Sequence, residues 1–166
     1  MKYLSFLFLI FLSLTFLSCN DEDNLPIQLS GVWEERKYVD SVDFWVVNTL
    51  EFKNDSEFQF RTTVRETETG NDLGYRFYYD DTYDWDGKTF NYSPDMAFWI
   101  DYREEKFYTK KEDLKAGVID FVSWPSANIT FVEGNSKLIF QNICTSTNAD
   151  YCENAQYPER EYIRVN

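Results

Sequence analysis

The chain has 166 residues, 43% of them hydrophobic and 19% aromatic, with 16 basic against 29 acidic side chains and a formal net charge of −13. Such a surface repels nucleic acid, whose binding rests on basic contacts to phosphate. Histidine is absent, which removes Ser-His-Asp and Cys-His catalysis, imidazole general bases and the usual zinc or copper ligand sets. Aromatic and β-branched residues are many and glycine and proline few, so strands are favoured over helices.

Residues 1–18 carry one charge, Lys2, and an apolar core over residues 4–17. Fourteen residues in a helix reach about 21 Å, short of the roughly 30 Å hydrocarbon core, so the segment reads as a signal h-region and not a span. It ends in Ser18-Cys19, and the acidic run Asn20-Asp21-Glu22-Asp23 follows at once. This junction resembles the lipobox of bacterial lipoproteins, with Phe16 standing where leucine is usual. The resemblance implies cleavage before Cys19, lipidation of its thiol with palmitate-like chains, and a membrane partner reached through that anchor. It places the protein on the outer membrane of a Gram-negative bacterium, at the cell surface or facing the periplasm. Each buried methylene contributes about 0.8 kcal/mol, so an anchor of more than one chain is lasting. The expected division is a signal peptide over 1–18, a lipidated tether over 19–29 and one domain over 30–166.

Within that domain Gly31-Val32-Trp33 opens a strand that runs to about residue 40. Over residues 44–53, Phe44, Val46, Leu50 and Phe52 share one parity, interrupted by Asn48. After the turn Asn54-Asp55-Ser56, residues Phe58, Phe60, Thr62 and Val64 alternate with polar neighbours, the cleanest half-buried strand in the chain. Residues 66–72 are the next turn. Residues 74–79 form a strand with Tyr75, Phe77 and Tyr79 on one face, and Asp86-Gly87 is a hairpin signal because both residues tolerate positive φ. Phe90 and Tyr92 belong to the return strand, which Pro94 stops. Residues 96–126 are the least regular, a strand near 98–102 and a charged stretch over 104–115 among them. Strand patterns return over 128–133, 137–144 and 160–165. Cys144 and Cys152 remain an even pair in an exported chain and read as a disulfide clipping the loop between them.

The count is eight or nine antiparallel strands joined by short turns, with no helix long enough for a crossover. An all-β, up-and-down barrel avoids exposed edges; a β-sandwich is the alternative. The pattern resembles the lipocalin-like lipoprotein domains, on Gly31-Val32-Trp33, on Leu50-Glu51-Phe52 with Glu57-Phe58-Gln59-Phe60, and on the terminal Tyr162-Ile163-Arg164. The resemblance covers residues 30–166 apart from an insertion at about 96–126. It implies a barrel floor closed by Arg164 against Trp33, a cation–π pair.

Chemistry-bearing clusters are few. Asp80-Asp81-Thr82-Tyr83-Asp84-Trp85-Asp86-Gly87 alternates acidic residues before a glycine, but Thr82 and Ser93 stand where a calcium loop needs carboxylates. The acidic run is therefore expected to be a solvated hairpin tip, with no metal and no cofactor. Paired carboxylates such as Glu34 and Glu35 point to opposite faces of a strand, so no enzyme is expected. Trp85, Trp99 and Trp124, beside a turn and flanking the insertion, are the candidates to stack on a small apolar ligand at a barrel mouth; Trp45 is expected to pack. The alternative is a solid-cored accessory module that meets a surface partner protein through its outer face.

Overall fold

The computed structural model describes residues 29–118, 126–145, 152 and 157–165. The expectations at Cys19, at Trp124 and for the signal peptide and tether fall outside these residues. Ten strands follow one another: β1 (Gly31–Val39), β2 (Phe44–Phe52), β3 (Glu57–Arg65), β4 (Gly74–Trp85), β5 (Thr89–Tyr92), β6 (Met96–Trp99), β7 (Lys115–Val118), β8 (Ser126–Val132), β9 (Lys137–Ile143) and β10 (Arg160–Arg164). A short 3-10 turn at Lys111–Asp113 lies between β6 and β7.

Alternation decides which face each strand buries. Trp33 of β1 lies opposite Leu50 of β2, Leu50 opposite Phe60 of β3 and Phe60 opposite Tyr79 of β4. A row of large apolar side chains thus runs across four strands on one face. All neighbours pair antiparallel, in the order β3-β2-β1-β10-β9-β8-β5-β4-β6-β7, and β3 also pairs with β4. That last ladder closes eight strands into a barrel, with β6 and β7 added outside the ring. Two stacked open sheets, the sandwich alternative, are excluded by this closure. The interior is built mainly from rings, Phe58 meeting Phe90 edge-on at 5.2 Å and Phe60 stacking on Tyr79 at 5.4 Å.

One end of the barrel is shut by Trp33, which is fully buried and donates from Nε1 to the Leu29 carbonyl at 2.9 Å. Phe131 packs 5.5 Å from it, and Trp85 meets Phe131 edge-on. The Arg164 guanidinium lies 5.1 Å from the Trp33 ring and donates to the Ser30 carbonyl at 2.7 Å, the geometry of a cation–π contact. At the other end, residues 144 and 152 are joined by a disulfide, with Cα atoms 5.4 Å apart.

Tyr75, expected to share a face with Phe77 and Tyr79, packs instead with Tyr78, Ile100 and Leu114, across a register shift at Thr62/Thr63, and two elements differ more widely from the sequence pattern. β4 runs on to Trp85 instead of stopping at Tyr79, because Glu57 and Phe58 pair with Thr82 and Asp81 and Tyr83 and Trp85 pack against the core. Tertiary pairing here outweighs the poor strand propensity of aspartate. The acidic run is therefore mostly strand, and the turn shrinks to residues 86–88. There Asp86 accepts from the amides of Lys88 and Thr89 at 2.9 and 2.7 Å, and Gly87 takes φ 95°, open to glycine at no steric cost. The insertion is the second difference. β6 pairs with β4 through Phe77 and Tyr78, and β7 pairs with β6, so residues 96–118 widen the sheet. Ala97 is fully buried in the main core.

Outside the ring, residues 66–73 fold back over β1 to β3. Glu34 receives Arg65 and Arg36, each at 2.7 Å, and Arg65 also reaches Asp72 at 2.6 Å. Burial alone would raise the Glu34 carboxyl, but the bonds from the two arginines outweigh it and hold the group below its ordinary range.

Candidate functional site

Above the floor the rings do not fill the barrel completely. A cavity of about 180 Å³ lies among Phe58, Phe60, Phe77, Phe90 and Phe140 on its apolar side and Tyr79, Tyr92, Tyr162, Asn142 and Arg160 on its polar side. Neither Trp33, Trp85 nor Trp99 is part of its wall. The polar residues arrive there by strand parity. Tyr79 is two positions from Phe77, Asn142 two from Phe140 and Arg160 two from Tyr162, so each shares the inward face of its strand.

A band of polar side chains continues this wall across three further strands. Asn48 lies opposite Glu35 and Thr62 in the ladders. Its amide donates to Glu35 Oε2 at 2.9 Å, while Thr62 Oγ1 donates to Asn48 Oδ1 at 2.7 Å. Arg160 completes the band, donating from Nε to the same Glu35 oxygen at 2.9 Å and from Nη2 to it as well. The guanidinium also lies 5.4 Å from the Tyr162 ring. Asn48, which breaks the apolar alternation of its strand, is thus an inward member of a charge-balanced band.

The tyrosines differ in how their hydroxyls are used. Tyr92 donates to Asn142 Oδ1 at 3.2 Å. Tyr79 and Tyr162 are 8% and 1% exposed, and among the described residues neither hydroxyl makes a hydrogen bond. Burial pushes all three phenols up, Tyr92 to about 12 and Tyr79 and Tyr162 upward as well. All three are neutral at physiological pH, and each hydroxyl has a proton to donate.

The acidic run carries ordinary structural bonds. Asp81 accepts from the amides of Thr82 and Ser93, both at 2.7 Å, and burial raises its carboxyl. Asp80 accepts from Lys53 at 2.5 Å and Gln59 at 2.9 Å. On strand β4 the two carboxylates point to opposite faces, so they do not converge as a calcium loop requires.

A second hollow, of about 330 Å³, lies on the outer face among Tyr78, Phe98, Lys111 and Glu112. There the Lys111 ammonium sits 3.6 Å above the Tyr78 ring, and the Tyr78 hydroxyl bonds to Asp80.

The chain matches no family model, and no curated protein or solved structure is significantly similar to it.

What the site can do follows from its residues alone. Trp85 and Trp99, the two described tryptophans among those singled out by sequence, are not gathered together. Trp85 lies in the floor, its indole N–H buried without a hydrogen-bond partner among the described residues. Trp99 is on β6, opposite Lys115, with its ring directly over Gly117. Measured along β4, where Trp99 faces Phe77, the two are roughly 26 Å apart at strand rise. Trp124 is outside the described residues. The aromatic surface facing the cavity is phenylalanine and tyrosine instead, and Trp45 packs on Tyr38 at 5.5 Å, away from it. The sequence signals for this site were polar residues at inward parity, Asn48, Asn142 and Arg160.

Proposed function

We propose that this chain is a lipid-anchored bacterial envelope protein whose lipocalin-like barrel binds a small apolar or aromatic-stacking ligand and performs no catalysis. The observation that carries the reading is the cavity of about 180 Å³ bounded by phenylalanine and tyrosine rings, a concave and mostly apolar space with a few convergent polar groups. Its size suits a ligand near that of benzene, which an apolar cavity of about 150 Å³ accommodates. Attachment through Cys19 rests on the lipobox-like junction. Leu29, the residue that follows the expected tether, lies at the closed end of the barrel beside Trp33.

Native mass spectrometry of the delipidated domain, purified from its own host, tests the binding reading. A co-purifying small molecule supports it, and its absence across several preparations contradicts it. Cys19→Ala tests the anchor: the variant is expected to leave the membrane fraction, and unchanged partitioning rejects lipidation.

A second reading draws on a different observation. Most of the interior is filled by ring contacts, and the larger hollow is the outer one at Tyr78, Phe98, Lys111 and Glu112. A barrel used as a packed support for a surface complex would leave the interior without ligand and make that outer face the contact. Loss of a co-purifying partner protein in Phe98→Glu, with the fold intact, would favour it.

A further inference from the structure

We infer that the barrel cavity selects an uncharged, single-ring aromatic compound carrying a carbonyl-type acceptor, gripped by the hydroxyls of Tyr79 and Tyr162. The inference rests on the reading of the barrel as a ligand site and adds the ligand's chemistry.

Three features of the wall combine to this. The first is volume. About 180 Å³ exceeds the roughly 150 Å³ that holds benzene, which leaves room for one ring and a small substituent but not for an extended acyl chain.

The second is the state of the hydroxyls. Tyr79 and Tyr162 are both more than nine-tenths buried, line the cavity and have no hydrogen-bond partner among the described residues. Neither oxygen is among the fully enclosed polar atoms left without a partner, so both stay reachable, and two unpaired donors on residues of one cavity wall offer a place for an acceptor. Tyr92, the third hydroxyl, is already spent on Asn142.

The third is charge. Arg160 is the cation of the wall, and Glu35 already takes two of its N–H groups. Asp81, on the same face of β4 as Tyr79 and Tyr83, adds a second carboxylate to that side of the barrel. A carboxylate ligand would bring a third negative charge to one guanidinium inside a chain of net charge −13, and burying an uncompensated charge is costly. A neutral carbonyl escapes that cost and still accepts from both hydroxyls. The flanking Phe60 and Phe140 rings offer edge and face contacts to a flat ligand.

Titration calorimetry at pH 7 with acetophenone, toluene and benzoate decides the matter, on the folded domain and on Tyr162→Phe and Tyr79→Phe. Acetophenone is expected to bind at least about tenfold more tightly than toluene, the scale of one hydrogen bond to a buried donor. Benzoate is expected to be weaker than acetophenone by a similar factor. Each tyrosine variant should lose most of the acetophenone preference while toluene affinity stays put, and near-UV circular dichroism checks that the barrel remains folded. Equal affinity for toluene and acetophenone would overturn the role of the hydroxyls and leave the barrel reading intact. Tighter binding of benzoate would overturn the charge argument, showing that Arg160 exchanges Glu35 for the ligand. Failure of all three probes to bind would overturn this inference together with the cavity-ligand reading on which it rests.

Discussion

Glu34 shows how a single side chain can be placed against the simplest rule of a strand. It alternates with Trp33 and so faces outward, yet it is only 6% exposed, because Arg65 and Arg36 close on its two oxygens. Replacing it by glutamine leaves the buried Arg65 with Asp72 as its remaining carboxylate and is expected to cost about 3 kcal/mol in urea unfolding. The pH dependence has a definite sign. The folded carboxyl titrates below its ordinary value of 4.5, so its contribution is fully present above about pH 4.5 and disappears as pH falls through the lower folded value. The gap in urea midpoint between the native chain and Glu34→Gln should therefore be constant near neutrality and narrow toward pH 3. A gap that stays constant down to pH 3 contradicts the assignment. None of this was legible in the sequence, where Glu34 and Glu35 read only as an adjacent acidic pair. What separates them is their partners, Arg36 and Arg65 on the outer face for Glu34 and Asn48 and Arg160 on the inner face for Glu35.

The β6–β7 hairpin carries a tight packing constraint at Gly117. A Cβ on Gly117 would come within 2.1 Å of the Trp99 ring, and Trp99 is itself packed on the main core. Gly117→Ala is expected to displace the indole and cost about 1–3 kcal/mol, the usual scale of overpacking. Thermal unfolding together with a shift in tryptophan emission would report it; an unchanged spectrum and midpoint would mean that the indole is not wedged there. The same hairpin explains why residues 96–126 looked irregular. Its strands are four residues each, too short for a period-2 pattern to stand out. β4 failed in the opposite way. Its acidic half lacks strand propensity, and only the ladder to β3 makes it regular. By contrast the inner side of β3, Phe58, Phe60, Thr62 and Val64, was readable from its alternation, although its outer Thr63 and Arg65 are buried as well.

For the molecule as a whole, the decisive contact joins the two ends of the described chain. Trp33 pairs with Arg164, and no barrel exists until that ladder and the one between β3 and β4 have both formed. Folding must therefore close very long loops before native contacts repay the entropy. With the disulfide intact, refolding monitored by stopped-flow fluorescence is expected in the range of roughly milliseconds to seconds typical of all-β topologies. A microsecond phase that recovers the full native signal would show that closure is not the late event. Removing the disulfide bears on a loop of eight residues' separation remote from this ladder, so it should change stability more than the closure rate.

The Trp33–Arg164 contact was implied only by the lipocalin-like resemblance; the sequence by itself determined the strand-rich class, the parity of most inner faces, the turn at Asp86-Gly87 and the pairing of Cys144 with Cys152. Each of these depends on a residue type at a fixed local spacing, or on the two cysteines left to pair. The tertiary structure alone decided which inward residues meet. Tyr79, Asn142, Arg160 and Tyr162 come from β4, β9 and β10, and no spacing along the chain links them. They share a wall because the sheet curls shut, and curvature is set by pairing between distant strands. The size of the space left among the rings follows from how whole side chains interlock, a property no linear pattern carries.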